Sequence, residues 1–332
     1  MSLLLAIESS CDDTSIAIIR DGEILSNVTA TQELHNKYGG VVPELASRQH
    51  HIDIIPTLKK ALDEAKVKKD DLNAIAFTKG PGLLGSLIVG VSFGKSLALS
   101  LGIPMIEVHH MHAHILSHFA EPPHPQLPFL CLTVSGGHTQ IVKVNAYNDM
   151  QILGSTIDDA AGEAFDKVGK MLDLPYPAGP IIDQYAKKGN AKLSFSKPRM
   201  DGYNYSFSGF KTSVLYTLRD LMKEDDQYIK QNLFDICAAV QETIIDILMD
   251  KFMLAIKDTG IKHIAIAGGV AANSGLRKKL EEYANSEGLS LFIPSMQYCT
   301  DNAGMVAAAA WFKYLNKDFV DQSVVPDARM NF

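Results

Sequence analysis

The chain has 332 residues, of which 46% are hydrophobic and 21% are charged, and its formal net charge is −7. This length favours two domains, and the absence of low-complexity tracts argues against long disordered tails. Neutralisation of phosphates by Lys and Arg dominates nucleic-acid affinity, so the acidic balance argues mildly against RNA binding by bulk electrostatics.

The four cysteines are far apart and form no C-x-x-C pair. This spacing argues against a disulfide framework and a zinc knuckle, and a reducing cytoplasm fits it best. The N-terminal MSLLLAIESS has no basic segment before its short apolar run, so it predicts a first β-strand rather than a signal peptide. No stretch is expected to approach the roughly 20 apolar residues of a membrane span. We therefore expect a soluble cytoplasmic protein.

Two apolar segments with polar turns open the two halves of the chain. Residues 3–19 and 129–144 both predict β-hairpins. The first continues through an Asp-Gly turn into a three-stranded meander, and the second half copies that plan. Further along each half, residues 72–108 and 261–295 predict a strand, a glycine loop, a helix and a strand, which together form a parallel βα unit. A polar segment that can begin a helix follows each unit.

This repeat predicts a duplicated α/β fold of the actin-like and sugar-kinase-like class, related to ribonuclease H, whose two lobes hold a nucleotide in a cleft. The proline-rich segment 121–128 marks the seam. We therefore expect an N-terminal lobe over residues 1–123 and a C-terminal lobe over residues 124–332. A mostly helical stretch before the second βα unit predicts an insertion in the C-terminal lobe, covering residues 150–258.

A histidine pair follows the first βα unit. His110 and His114 are four residues apart, so on a helix they share one face and can bind one metal ion. Asp301 occupies the equivalent place in the other half, directly after a threonine that is a good N-cap for the next helix. Two histidines and a carboxylate leave open coordination positions and suit Fe²⁺ or another divalent ion. His109 and His112 are close enough to be ligands or to support them, and their role stays open.

Two glycine loops and two aspartates could bind a nucleotide. In Ser135–Thr139 the glycines let backbone N–H groups approach an anion, although a tight hairpin turn explains the same pattern. The loop 268–273 follows a strand and opens a helix, where phosphates and nucleosides commonly bind, but it is no dinucleotide fingerprint or P-loop. Asp166 and Asp183 could accept hydrogen bonds from ribose hydroxyls, although charged stripes are usually solvated. No catalytic residue is assigned, and Cys11 is interpreted as a packed turn residue.

Together these motifs resemble one family, the universal tRNA threonylcarbamoyladenosine transferases of the bacterial TsaD type, formerly described as O-sialoglycoprotein endopeptidases. The resemblance spans nearly the whole chain. The matching runs, in chain order, are AIESSCDDTSIAI, YGGVVPELASRQH, KGPGLLGSLIVG, VHHMHAH, LTVSGGHTQI, DDAAGEAFDKVGKML, YPAGP, FSGFKT, AGGVAANSGLR and CTDNA. One departure is His112, where bacterial relatives often have another residue, and it leaves the ligand count open.

The resemblance implies transfer of a threonylcarbamoyl group from threonylcarbamoyl-adenylate to N6 of adenosine 37 in tRNAs that read codons beginning with A, with release of AMP. It implies one divalent ion on His110, His114 and Asp301, which is Fe²⁺ by family, with Zn²⁺ and Mg²⁺ left open. The implied substrate-binding residues are Val134, Ser135, Gly136, Gly137, His138, Asp166, Gly179, Asp183 and Asn273.

The family's partners are tRNA, an inactive paralogous subunit and a small P-loop ATPase; a homodimer stays open, and no membrane partner is expected. A shared basic surface would explain how an acidic chain holds tRNA. Local candidates for tRNA contact are Lys187, Lys188, Lys192, Lys197 and Arg199.

Three alternatives compete with this function. An ATP-dependent small-molecule kinase would use the same lobes and glycine loops. A metalloprotease would use the paired histidines, but the segment lacks the Glu of H-E-x-x-H. A non-catalytic scaffold is disfavoured by the intact metal and nucleotide motifs.

Overall fold

A computed structural model describes residues 2–332, apart from the side chains of residues 36 and 37. The strands are β1 (Leu3–Glu8), β2 (Asp13–Arg20), β3 (Glu23–Thr31), β4 (Ala74–Gly80), β5 (Met105–His109), β6 (Phe129–Val134), β7 (Thr139–Ala146), β8 (Asp149–Ser155), β9 (His263–Ala267) and β10 (Ser290–Phe292). The α-helices are α1 (Pro43–Ala65), α2 (Leu84–Leu101), α3 (His110–Leu116), α4 (Ala161–Met171), α5 (Ala178–Ala186), α6 (Ser208–Glu224), α7 (Tyr228–Gln231), α8 (Leu233–Thr259), α9 (Ser274–Glu287) and α10 (Ala303–Leu315).

The chain forms two compact units. The first unit contains residues 1–124 and 294–332, and the second unit contains residues 125–293. The first sheet has the order β3-β2-β1-β4-β5 and the second has the order β8-β7-β6-β9-β10. In both sheets three antiparallel strands are followed by two strands parallel to the first. The predicted duplicated α/β fold and its two meanders are therefore confirmed.

The two faces of the first sheet have different roles. Leu3, Leu5 and Ile7 of β1 belong to a buried apolar cluster that also contains residues of α1 and α2. Side chains alternate along a strand, so Glu8 lies on the opposite face. Helix α10 contacts all five strands of this sheet, and its small buried side chains let it pack closely there. A carboxylate at the end of β1 is thus enclosed beneath α10.

The start of α10 is fixed to the first sheet by hydrogen bonds. The backbone N–H of Ala303 donates to Ser15 Oγ at 2.8 Å, and that of Gly304 donates to Asn27 Oδ1 at 2.9 Å. Asn302 caps the helix, since its Oδ1 accepts from Met305 N at 2.9 Å. The expectation that Thr300 would be the N-cap was wrong. These contacts group residues 294–332 with the first unit, whereas the sequence interpretation assigned them to the C-terminal lobe.

The second unit carries the predicted helical region. Helices α4 to α8 lie between β8 and β9, and α8 alone has 27 residues, of which 14 are buried. The fully buried aromatic side chains Phe207, Phe210 and Phe252 lie in this region. Helix α4 packs against α5 and α6, which positions the residues considered below.

Helix α2 is long and apolar enough to cross a membrane, with 18 residues and a mean hydropathy of 1.6. The sequence analysis predicted no stretch as long and apolar as a membrane span, and by length and composition this helix contradicts that prediction. Of this helix 39% is buried, and its buried face packs closely on the first unit: a Cβ added at Gly94 would lie 2.7 Å from the Phe77 ring, and one at Gly90 would lie 2.2 Å from Ser9 Oγ. Such close approach of helix and sheet needs glycine at both positions.

Candidate metal centre and nucleotide-binding residues

The two predicted histidines share one face of α3, which begins at His110. Their ring centroids are 4.7 Å apart. The Nε2 atoms of His114 and His110 lie 3.1 Å and 3.5 Å from Asp301 Oδ1, and one ligand atom from each of the three residues lies within 4.8 Å of the others. The predicted trio is therefore brought together, and all three residues belong to the first unit.

Glu8, to which the sequence analysis gave no role, lies on the Nδ1 side of the His110 ring. Glu8 Oε2 lies 3.2 Å from His110 Nδ1 and also accepts from Thr78 Oγ1 at 2.6 Å, while Oε1 accepts from Ser10 N at 2.5 Å. A carboxylate only accepts hydrogen bonds, so it favours the tautomer with a proton on Nδ1 and leaves Nε2 free for a metal. The available signal was an ionisable residue ending the apolar strand LLLAIE.

The electrostatics of this cluster suit a cation. Burial lowers the pKa of His110, but Asp301 and Glu8 outweigh that effect and raise its pKa to about 9. Burial likewise raises the pKa of Glu8, and the His110 ring more than offsets it, so the net shift is downward. The same two carboxylates would attract a divalent ion. The donor set of two imidazoles and one carboxylate, with a carboxylate behind one ring, fits such an ion.

The neighbouring histidines face elsewhere. His109 caps α3, since its Nδ1 accepts from Met111 N at 3.1 Å. Its ring stacks on that of His112 with the centroids 4.5 Å apart, and both rings pack against the Phe332 ring in a T-shaped arrangement. Burial lowers the pKa of His109 to about 3 and that of His112 to about 4. Across residues 2–332 only the His110, His114 and Asp301 trio has ligand geometry.

The glycine turn of the second unit joins β6 to β7. Ser135 N donates to His138 O at 2.8 Å, and His138 N donates to Ser135 Oγ at 3.1 Å. Gly136 and Gly137 have no positive φ, and a Cβ on either would have no neighbour within 4 Å. The hairpin itself therefore does not require these glycines. The side chain of Val134 is buried, so only its backbone could contact a substrate.

A series of contacts links this turn to the other predicted nucleotide-binding segments. Gly162 N, at the start of α4, donates to Ser135 O at 3.2 Å, and a Cβ on Gly268 would lie 2.5 Å from Val134 O. Both the turn and the loop after β9 therefore lie at the same end of the second sheet.

The aspartates extend this series of contacts. Asp166 Oδ1 accepts from Ala178 N at 2.8 Å, and burial raises the pKa of Asp166 despite that hydrogen bond. Asp183 Oδ1 accepts from Ser274 Oγ at 2.7 Å. Each aspartate thus holds the first turn of a neighbouring helix, α5 or α9. Gly179 has only a distant neighbour for an added Cβ, at 3.9 Å.

Asn273 is largely engaged within the protein. Its Oδ1 accepts from Leu276 N at 3.0 Å as the N-cap of α9, and its Nδ2 donates to Gln241 Oε1 at 2.8 Å. One amide hydrogen is left for a ligand.

The interpretation of Cys11 as a packed turn residue is supported. Its carbonyl accepts from His50 Nε2 and from Ser86 Oγ. Burial and nearby carboxylates raise the pKa of its thiol far above the ordinary range. A thiol held neutral in this way is a poor nucleophile.

The basic residues proposed for tRNA contact are mostly neutralised. Lys187 pairs with Asp183 at 3.1 Å, Lys192 pairs with Asp235 at 2.7 Å, and Lys197 lies between two aspartates of α8. Ion pairs of this kind leave less positive charge for phosphates.

The sequence is similar to those of known proteins. The family model described as tRNA N6-adenosine threonylcarbamoyltransferase matches residues 23–308. The protein of that name from Christiangramia forsetii is 56% identical over 333 residues, which cover 99% of this chain and 98% of that protein.

Solved structures show the same fold at low identity. Component A of the Acidaminococcus fermentans (R)-2-hydroxyglutaryl-CoA dehydratase gives a TM-score of 0.54 at 17% identity, covering 96% of this chain and all of that one. HypF from T. kodakarensis gives 0.67 at 14% identity, covering 97% of this chain and 49% of that one. These neighbours have the actin-like fold, which agrees with the fold predicted from the sequence.

Proposed function

The chain belongs to the tRNA N6-adenosine threonylcarbamoyltransferase family, and from that premise we propose that it transfers the threonylcarbamoyl group from threonylcarbamoyl-adenylate to N6 of adenosine 37. The observation that carries this proposal is the 56% identity over 99% of the chain. It makes the protein a transferase that acts in tRNA modification. The names of the relatives do not favour a small-molecule kinase.

Residues of the second unit would bind the adenylate. The backbone amides of Gly136 and Gly137, in the turn of residues 135–138, would hold its phosphate, because those of Ser135 and His138 donate within the turn and the two glycines leave open space above it. Asp166 and Asp183 would accept from the ribose hydroxyls, supported by Gly179, and the remaining amide hydrogen of Asn273 would face the adenosine.

A divalent ion would be held in the first unit by His110, His114 and Asp301. Imidazole ligands favour Fe²⁺ or Zn²⁺ over Mg²⁺, which prefers oxygen. When bound, the ion would act as a Lewis acid that offsets negative charge on oxygens of the substrate. Glu8 would keep His110 in the tautomer that presents Nε2 to the ion.

The reaction needs positioning more than a covalent nucleophile, because the adenylate is a mixed anhydride and already activated. The N6 amine attacks the carbamoyl carbon, the new C–N bond forms, and the C–O bond to the phosphate breaks with release of AMP. Holding the amine above the plane of the carbamoyl carbon contributes a large part of the rate enhancement. The acceptor adenine must leave its stack to reach the bound adenylate. The N6 amine loses one proton as the C–N bond forms, and His138 is the candidate acceptor for it.

We also propose the family's assembly for this chain, with an inactive paralogous subunit, a small P-loop ATPase and a cytoplasmic location. A shared basic surface would reconcile the net charge of −7 with tRNA binding.

The test is a transfer assay with the reconstituted assembly, unmodified tRNA and supplied threonylcarbamoyl-adenylate. We expect modified adenosine 37 and AMP in equal amounts. A matched tRNA with guanosine 37 is the control and should stay unmodified. Phosphorylation of a sugar or acid from ATP, without tRNA modification, would support the kinase instead.

A further inference from the structure

A surface cavity of about 640 Å³ lies between α4 and α6 in the second unit. It is lined by Lys167, Lys170, Met171, Ser208, Lys211, Thr212 and Leu215. We call it the lysine pocket. None of its residues is among those assigned above to the metal ion or the adenylate, and its volume suits a ligand the size of a nucleotide.

The pocket has an excess of positive charge. Lys167 pairs with Asp159 and Glu163, both at 2.8 Å, and Lys211 pairs with Asp159 as well. Lys170 has no ion pair within residues 2–332. Three ammonium groups therefore face two carboxylates. The Lys211 side chain is only 17% exposed and shares Asp159 with Lys167, so the excess charge of the pocket lies mainly on Lys170.

One aromatic side chain of α6 follows the pocket along the helix. Thr212 lines the pocket, and Tyr216, one helical turn further on, is 51% exposed. The guanidinium of Arg219 lies 4.7 Å from the centre of the Tyr216 ring. Surfaces that bind unpaired RNA typically combine lysines that bind phosphate with aromatic rings and arginines that stack on bases.

The anion of this pocket differs from the phosphate of the adenylate. The adenylate has one phosphate, which is assigned to the turn at residues 135–138, and that turn contacts Gly162 in the first turn of α4. Lys170 lies eight residues further along α4, a rise of about 12 Å. Lys170 is also one helical turn beyond Asp166, the residue assigned to the ribose. The pocket therefore adjoins the assigned nucleotide-binding residues without duplicating them.

We propose that the lysine pocket binds a backbone phosphate of the tRNA next to the adenosine that is modified, with Lys170 as the main cation and Lys211 as a second contact. This inference rests on the proposed function, because it names the surface that positions the acceptor. It also explains how an acidic chain contacts tRNA through a local excess of cations.

The test compares Lys170→Gln and Lys211→Gln with the wild-type chain in the reconstituted assembly. Binding of an unmodified tRNA transcript is measured from low to high salt. Each variant should make the slope of log K against log salt shallower by about one and weaken binding roughly tenfold near 0.1 M salt. Lys278→Gln is the matched control, because Lys278 is an exposed lysine on α9 of the same unit. It should leave the slope unchanged.

Two further measurements separate the outcomes. Binding of the adenylate should be the same in the variants and the wild type; loss of adenylate binding with intact tRNA binding would overturn the proposal and assign the pocket to the small substrate. Since Lys211 is partly buried, the exposed Lys170 is also tested as Lys170→Glu, which should weaken tRNA binding more than Lys170→Gln. If the wild type modifies tRNA and all three pocket variants bind tRNA normally, the inference is wrong while the proposed function stands. A wild type that modifies no tRNA would refute the proposed function itself.

Discussion

Replacing Glu8 with Gln tests how the protein prepares His110 to bind a metal. The substitution keeps the shape of a side chain that is fully buried, removes its charge, and replaces one acceptor oxygen with an NH₂ donor. Glu8 Oε1 accepts from Ser10 N, and Oε2 faces both Thr78 Oγ1 and His110 Nδ1. The amide must therefore place its NH₂ group at one of these two positions.

The two orientations differ in their hydrogen bonds. With NH₂ facing the Ser10 N–H, two donors would meet at a distance of 2.5 Å, which is strongly unfavourable for buried groups. With NH₂ facing Thr78 and His110, the Thr78 hydroxyl can rotate to accept, and His110 can accept only if its proton moves to Nε2. The second orientation is favoured, and it places a proton on His110 Nε2, the nitrogen that faces Asp301.

We therefore expect Glu8→Gln to weaken binding of Fe²⁺ or Zn²⁺ by roughly 10- to 100-fold, as is typical for loss of a carboxylate behind a metal-bound histidine. That range equals about 1.4–2.8 kcal/mol of binding free energy. Anaerobic calorimetric titration of the metal-free protein measures it, with circular dichroism as the check on folding.

Ser10→Ala is the matched control, because Ser10 Oγ also lies 3.2 Å from His110 Nδ1 but carries no charge. It should weaken metal binding much less than Glu8→Gln. A folded Glu8→Gln variant with wild-type metal affinity would refute the assigned tautomer.

Four other substitutions test three separate parts of the structure. Gly137→Ala should change the free energy of unfolding by no more than about 1 kcal/mol yet weaken adenylate binding in a calorimetric titration. Gly162→Ala should lower both the stability and the adenylate affinity, because its Cβ would lie 2.6 Å from Ser135 O. Wild-type adenylate affinity in Gly137→Ala would contradict phosphate binding at the turn. Cys11→Ser should keep the wild-type transfer rate, since burial raises the pKa of the thiol, and a large loss of rate would mean that the thiol takes part. Asn302→Ala should lower the free energy of unfolding by about 1 kcal/mol through loss of the α10 cap, and an unchanged urea midpoint would count against that role.

Local patterns predicted much of the fold and part of the site. Strand alternation and turn residues are short-range signals, and they predicted both hairpins and both βα units. The spacing of His110 and His114 predicted a shared helix face, and the prediction was right because α3 begins at His110 and continues beyond His114.

Long-range contacts account for what the sequence did not predict. Asp301 belongs to the first unit because the residues that follow it bond to Ser15 and Asn27, more than 270 positions earlier in the chain. The support from Glu8 also depends on contacts with residues 70 and 102 positions away. The sequence predicted Thr300 as the cap, whereas the cap is Asn302, two residues later; local sequence does not distinguish two polar residues this close together.

The most direct test of the metal assignment measures ion content and transfer together. The wild-type protein is freed of metal and then titrated with Fe²⁺ while tRNA modification from supplied adenylate is followed, with His110→Ala treated in parallel. We predict that transfer returns as one ion binds per chain, and that His110→Ala recovers neither the ion nor the activity. Full transfer by a folded, metal-free protein would contradict the role assigned to His110, His114 and Asp301.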